Sequence, residues 1–542
     1  MPGVDAKPSS DRNQAGMPDL RLGRAEVYHI LAIDLAELVA DPTNDRRLLQ
    51  RLRATDELFD RLKEALIGQF PQCMAESENI RRRMTESLEL RGKAVWTDQF
   101  LERFAPIRLP APQSMVWNEV ATSPNGRLST DPMSPLHFVR FIAASMKMFR
   151  DGTITYVVRA TLETRRSSSA GGLDDGNGPA TITQAIERLD ALDRLLVDNF
   201  RESLSEFFRS NEVRQAFQKA VSINGAGLEL KNISRLSRDD FKRKVKEHRV
   251  VFVEKFLRSP HDKSTSSPPA REVNTQEVPL QTVLLSSSLA GLLNTASWYE
   301  HYNDRYVESL RLKEIGYRQD EIYLTDRKAT VISAPGFWAG DLMDQKPPDP
   351  LSRYKYDVVL AVEYNIACLA YFSSTLAYFQ EHPDVHGLEN QLPGDALPHV
   401  IDGRSILSRI EESLDLSLLV DHGFTRVFIK RLREELGLDT AIGFIRRRVE
   451  DTSTSVSLKS SVLAAEQTSK ESLQAAIKNN QIQNGLAKWA IAAVIVSVLV
   501  FIGDKVADLY LRREPAVIVC VPGSNLANTV CGSPSQSPSP TP

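Results

Sequence analysis

The chain has 542 residues, longer than one ordinary domain; ~100–200 residues per domain suggests about three. Apolar residues make up 42% and charged residues 25%, which excludes a wholly disordered chain, and 67 Lys+Arg against 70 Asp+Glu leave a net charge of −3. That near-neutral balance gives the chain no global electrostatic claim on nucleic acid, and four cysteines in this length exclude a disulfide framework.

The expected fold class is α+β and mostly α-helical. Residues 1–22 are polar, without an apolar leader, and read as a disordered tail. A small α/β domain is expected over 23–164. It opens with a strand at 25–34 (AEVYHILAID). A helix from Asp45 to Ile67 follows, with Leu48, Leu49, Leu52, Phe59, Leu62 and Leu66 on one face and Gly68 and Pro71 to end it. Residues 115–120 read as a strand, and Pro135 opens a helix through about Arg150. Asp151-Gly152 then turns into a strand over Thr153–Glu163.

Beyond a Gly/Ser-rich linker at 165–180 lies a helical segment, 181–258, with helices from Thr183 to about Val221 and from Arg238 to Leu257. A Ser/Pro/Thr-rich linker covers 259–278. The next part, 279–450, is a helical domain. It has a long helix from Leu280 to Glu314, a β-hairpin at 321–333 turning at Asp326-Arg327, and helices at about 358–379, 405–418 and 424–450. Gly437 and Asp439 are stop and start signals inside the last. Residues 451–488 read as a stalk helix. Val449, Val456, Leu463 and Ile477 share a spacing of seven with polar Lys470 and Asn484, a weak coiled-coil pattern.

One segment belongs to a membrane by composition. Trp489 to Gly503 (WAIAAVIVSVLVFIG) is free of charge and flanked by Lys488, Asp504 and Lys505. Its 15 residues rise only about 22 Å as a helix, but both lysines can snorkel, so a single transmembrane helix is expected over 489–506. Residues 358–379 are also long enough to span. They carry Glu363 and Asn365, and a mid-span charge costs ~2.5–3.5 kcal/mol on insertion scales, so a buried core helix is expected there. The flanking basic residues nearly balance and do not set the orientation. The polar N-terminus puts the body in the cytoplasm and the 507–542 tail, with its disordered end, outside the cell membrane. Cys520 and Cys531 would then lie in an oxidising space and can pair.

Signatures of common chemistries are missing: no phosphate-binding loop, no H-E-x-x-H, no C-x-x-C and no G-x-S-x-G. His382, Asp384, His386 and Glu389 form one tight cluster of imidazole and carboxylate that suits zinc or manganese, or an ordinary polar turn. No other cofactor is expected. Trp298, Tyr299, Tyr302 and Tyr306 recur at helical spacing, as core packing or as a ligand groove. Glu363 sits in an apolar helix and needs a cation partner, with Arg305, Arg327 and Lys328 as candidates; it is either half of a structural ion pair or a functional acid or ion ligand. Lys242, Arg243, Lys244, Lys246 and Arg249 form a basic run on the helix expected there, a solvated face in the first instance, with a surface for anionic lipid or nucleic acid as the alternative.

The layout of α/β domain, long helices and a polar stalk running into the membrane resembles CorA-type divalent-cation channels. Those carry a second membrane helix and a Gly-Met-Asn signature, where residues 503–505 here read Gly-Asp-Lys. The resemblance implies an oligomer, with Gln481, Gln483 and Asn484 at the approach to the membrane. The leading expectation is a single-pass, membrane-anchored cytosolic sensor or scaffold that oligomerises through its stalk and takes a protein partner on its body. The alternatives are a CorA-like channel or membrane-disrupting effector, and an enzyme with a dispersed site in 279–450.

Overall fold

The computed structural model describes residues 20–39, 57–70, 106–110, 134–162, 181–221, 233–258, 276–284, 286–294, 304–316, 321–334, 350–381, 404–412 and 423–511, with isolated positions between them. The described chain is mostly helical, with two sheets and a long C-terminal helix. It divides into two compact units, Met1–Lys459 and Ser460–Pro542.

The first unit is built on an eight-stranded sheet. Its centre is β2 (Ala25–Asp34), whose ten residues are all buried; β1 (Leu20–Leu22) precedes it. Helix α1 (Glu57–Gln69) and two short strands, β3 (Met74–Ala75) and β4 (Ile107–Arg108), lead to the hairpin of β5 (Val139–Met148) and β6 (Thr153–Leu162). Gly152 turns that hairpin at φ +81°, a conformation that side chains with a Cβ resist. Two helices follow, α2 (Ile182–Arg209) and α3 (Asn211–Val221), then the short α4 (Arg238–Lys244) and the strand β7 (Lys246–Val253). Strands β8 (Phe256–Arg258) and β9 (Gln276–Glu277) make a three-stranded sheet with β1. Helices α5 (Leu280–Leu284), α6 (Ser287–Asn294) and α7 (Asp304–Arg311) precede the hairpin of β10 (Ile322–Thr325) and β11 (Ala329–Ser333). The large sheet runs β10-β11-β7-β2-β6-β5-β4-β3, antiparallel except where β11 meets β7.

Two-residue alternation assigns the faces of the sheet. Val27, Leu31 and Ile33 of β2 join Ile154, Tyr156 and Val158 of β6 in a core shared with Leu189, Leu196 and Phe200 of α2. Tyr156 stacks on Phe200 with centroids 5.3 Å apart. On the other face, Tyr28, Ile30 and Ala32 join Val250 and Phe252 of β7 in a second core. That core is closed by α8 (Pro350–Glu381), helical residues 404–412, α9 (Gly423–Leu436) and the start of α10 (Leu438–Leu511). A sheet covered on both faces explains why its central strands carry almost unbroken apolar runs.

Several expectations hold. The 25–34 strand has its predicted bounds, the 321–333 hairpin forms with Asp326 N–H donating to Ala329 O at 2.9 Å, and Gly437 separates α9 from α10 at φ +69°. Helix α8 is a core helix: 89% of its most apolar stretch is buried.

Others need correction. The stretch after Pro135 is one 3-10 turn and then a strand, not a helix; the Asp151-Gly152 hairpin pairs it with β6, and tertiary pairing overrides the helix propensity of its Ala, Met and Lys residues. The helix expected at 238–257 stops at Lys244, and the β-branched run that follows enters the sheet as β7. The 23–164 domain is not separate, nor is 181–258 purely helical, because strands from 25–34, 246–253 and 329–333 lie side by side in one sheet. The 115–120 strand lies outside the described residues. The heptad-spaced Val449 packs in the core beneath the sheet rather than on an open seam.

Candidate functional site

The face of the sheet under α8 carries charges that the strands force into the interior. Even-numbered positions of β2 point at α8, so Glu26 is fully buried there, where a lone carboxylate would be costly. It is held by Lys355 at the start of α8 and by Arg159 on β6. Burial alone would raise the Glu26 pKa; the two cations outweigh it, and the carboxyl stays below its usual range. Two turns along α8, Glu363 is 1% exposed and accepts from Lys147 Nζ and Thr155 Oγ1, each at 2.6 Å. At the far end of β2, Asp34 holds Arg53, whose guanidinium lies 4.9 Å from the Tyr371 ring centre. The Glu26–Lys355 and Lys147–Glu363 pairs join α8 to the strands, and Arg53 reaches it through the Tyr371 ring.

Between β5 and α8 the sheet leaves a cleft of about 210 Å³. Among the described residues its walls include Arg108, Lys147 and Arg159 and one carboxylate, Glu363, with Tyr28, Tyr356 and Ser145 as further polar groups. The burial of these charges is unequal. Side chains of Lys147 and Arg159 are 16% and 23% exposed, whereas those of Glu363 and Glu26 are 1% and 0%. The cations face the opening and their carboxylate partners are sealed behind them. Arg159 donates to Tyr356 Oη at 3.0 Å, and its guanidinium lies 5.6 and 5.7 Å from the centres of the Tyr28 and Tyr356 rings.

The opposite face of the sheet has its own network. Asp193 on α2 receives Arg249 at 2.9 Å and lies 3.0 Å from His29 Nδ1. Burial pushes the Asp193 carboxyl up, but Arg249 and His29 prevail and lower it. The basic run at 242–249 is therefore divided: Arg243 pairs with Asp240, Lys244 with Glu37, and Arg249 turns into the interior. No continuous basic face results.

Glu363 has a cation partner as expected, though it is Lys147 rather than Arg305, Arg327 or Lys328. Tyr306 packs at the edge of the α2-side core and accepts from Asn294 at 2.7 Å. Trp298, Tyr299 and Tyr302, the His382, Asp384, His386, Glu389 cluster, and Cys520 with Cys531 lie outside the described residues. Among the described residues no three His, Cys, Asp or Glu side chains converge on a point where a metal would sit. Sequence reasoning missed Glu26, Lys355, Arg159 and Lys147. Glu26 and Arg159 were visible as charges inside strands, but nothing in one sequence says that they face each other and α8.

The second unit offers a different surface. Every large apolar side chain from Trp489 to Ile502 is between 50% and 77% exposed, and none of the apolar window within Ser457–Ala507 is buried. The helix is apolar around its whole circumference there. It is long and apolar enough to cross a membrane. Further back, Val462, Leu463, Leu473 and Ile477 are also exposed and fall within an arc of about 100° at ~3.6 residues per turn.

Comparison with family models, with curated proteins and with solved structures returned no match. The functional reading therefore rests on this chain's own residues.

Proposed function

We propose that the chain is a single-pass membrane protein whose large body acts as a cytoplasmic sensor or scaffold and whose stalk brings copies together. The observation that carries this reading is the exposure of the 489–502 side chains. Each large apolar side chain left in water forfeits ~1.5–3 kcal/mol that burial would supply. Ile491, Val494, Ile495, Val496, Val498, Leu499, Val500, Phe501 and Ile502 are all so placed, on every side of one helix. A protein partner covers one face of a helix; lipid covers all of them. Trp489 stands at one end of the run, and Lys505 lies 5.7 Å from the Phe501 ring centre at the other, as residues at a membrane–water boundary do.

The stalk reading is supported by Val462, Leu463, Leu473 and Ile477, which share one side of the helix before Ile482 and Leu486 break the stripe near the membrane end, and which suit a second copy of the same helix. Alkaline carbonate extraction of membranes from expressing cells tests the anchor. The full chain is expected in the pellet, and a Val496→Glu/Leu499→Glu variant in the supernatant; wild-type protein released to the supernatant would overturn the reading. For the stalk, Leu473→Cys is expected to cross-link between copies under mild oxidation, and monomers alone would remove the oligomeric part.

A further inference from the structure

We propose that the cleft between β5 and α8 binds a small organic oxyanion, a phosphate or carboxylate carried on a compact organic group. The proposal goes beyond membrane attachment and does not depend on it. Three observations carry it. First, among the described residues, three cationic side chains, Arg108, Lys147 and Arg159, line the cleft with one carboxylate, Glu363. Second, the opposing charges lie at different depths. Glu26 is not part of the wall and Glu363, which is, has a side chain only 1% exposed, while Lys147 and Arg159 are 16% and 23% exposed, so the cations present more of the charged surface than their partners do. The buried carboxylates serve to hold those cations in place, which lowers the ordering cost of binding. Third, the rings of Tyr28 and Tyr356 line the cleft with their centres 5.6 and 5.7 Å from the Arg159 guanidinium, which gives the organic group an aromatic wall beside the cation. An oxyanion would accept from the cations while its organic group lies against the rings.

The remaining wall limits the rest of the ligand. Ala143, Ala144, Val157, Val359 and Leu360 are small or apolar, and about 210 Å³ admits a group the size of one ring rather than a dinucleotide. Arginine at the rim favours planar, two-pronged contact with phosphate or carboxylate.

The test is isothermal titration of the full chain in detergent micelles with phenyl phosphate, benzoate and the uncharged benzyl alcohol. Phenyl phosphate or benzoate is expected to bind, with affinity falling as salt rises, and the tighter of the two identifies the acid group. Benzyl alcohol is expected to bind at least ten-fold more weakly. Two substitutions avoid the buried pairs: Arg108→Gln, on the exposed side of its strand, is expected to weaken binding ten-fold or more, and Ala143→Trp to abolish it by filling the cleft. Both are checked for an unchanged thermal melt. Absence of binding by the wild-type chain at millimolar anion would overturn the proposal. So would equal binding of benzyl alcohol, or binding that neither substitution weakens.

Discussion

Lys147 Nζ donates to Glu363 Oε2 at 2.6 Å, joining an inner strand of the sheet to the middle of α8 across 216 positions of sequence. The pair explains how the most apolar helix of the body tolerates a carboxylate. It also makes the two residues interdependent. Lys147→Met leaves Glu363 buried with Thr155 as its one donor among the described residues, and an uncompensated buried charge costs about 3 kcal/mol. The double variant Lys147→Met/Glu363→Met is expected to recover most of that loss. Urea denaturation followed by tryptophan fluorescence checks both values; additive losses in the double variant would contradict the pairing.

His248 supplies a pH dependence. Its ring bridges β7 to the next hairpin, with Nε2 2.9 Å from Thr330 Oγ1 and Nδ1 3.3 Å from the Arg327 carbonyl. Burial, helped by the nearby Arg249 and His29, lowers its pKa to about 3 against the pull of that carbonyl. The folded state therefore refuses a proton that the unfolded chain accepts below about pH 6.5. The stability so contributed is complete above pH 6.5 and is lost as pH falls towards 3. Between pH 7.5 and pH 5 the wild-type chain is expected to lose about 2 kcal/mol more than His248→Gln. Asp151, raised by burial to about 6, works in the opposite direction in the same window, but it is common to both chains and cancels in the comparison. Denaturant titrations at the two pH values decide the matter, and parallel losses would count against it.

The two glycines near the α9–α10 junction separate backbone strain from crowding. A Cβ would meet nothing within 4 Å at Gly437 or at Gly443. Only Gly437 has a left-handed φ, +69°. Gly437→Ala is expected to cost about 1 kcal/mol through strain, whereas Gly443→Ala, inside α10, is expected to gain ~0.5–1 kcal/mol from helix propensity. Opposite shifts in the thermal midpoint are the signature.

Local signals were legible where a single periodicity or turn decided the outcome. The apolar run at 25–34, the hairpin about Asp326 and the glycine stop at 437 all depend on neighbours in sequence. The strands at 139–148 and 246–253 were not legible as placed, because their identity comes from partners far away: β6 captures the first, and β2 with β11 captures the second. A helix-length reading of Arg238–Leu257 overlooked Val250, Val251 and Val253, whose β-branched shapes suit a sheet buried on both faces. The cleft was invisible for the same reason. Arg108, Lys147, Arg159 and Glu363 come from four separate elements, and only the strand order brings them to one opening.

The placement of the 489–502 run in a bilayer is tested most directly by spin labels along α10. In a chain whose native cysteines are replaced, single cysteines at Lys488, Ile491, Val496, Val500 and Lys505 carry nitroxides, and the reconstituted protein is probed with oxygen and with a polar nickel chelate. The account predicts oxygen access that peaks and chelate access that vanishes near Val496, with both trends reversing towards Lys488 and Lys505. Uniform access to the chelate along the run, or exclusion of both probes from one face only, would place the helix in water or against protein and contradict it.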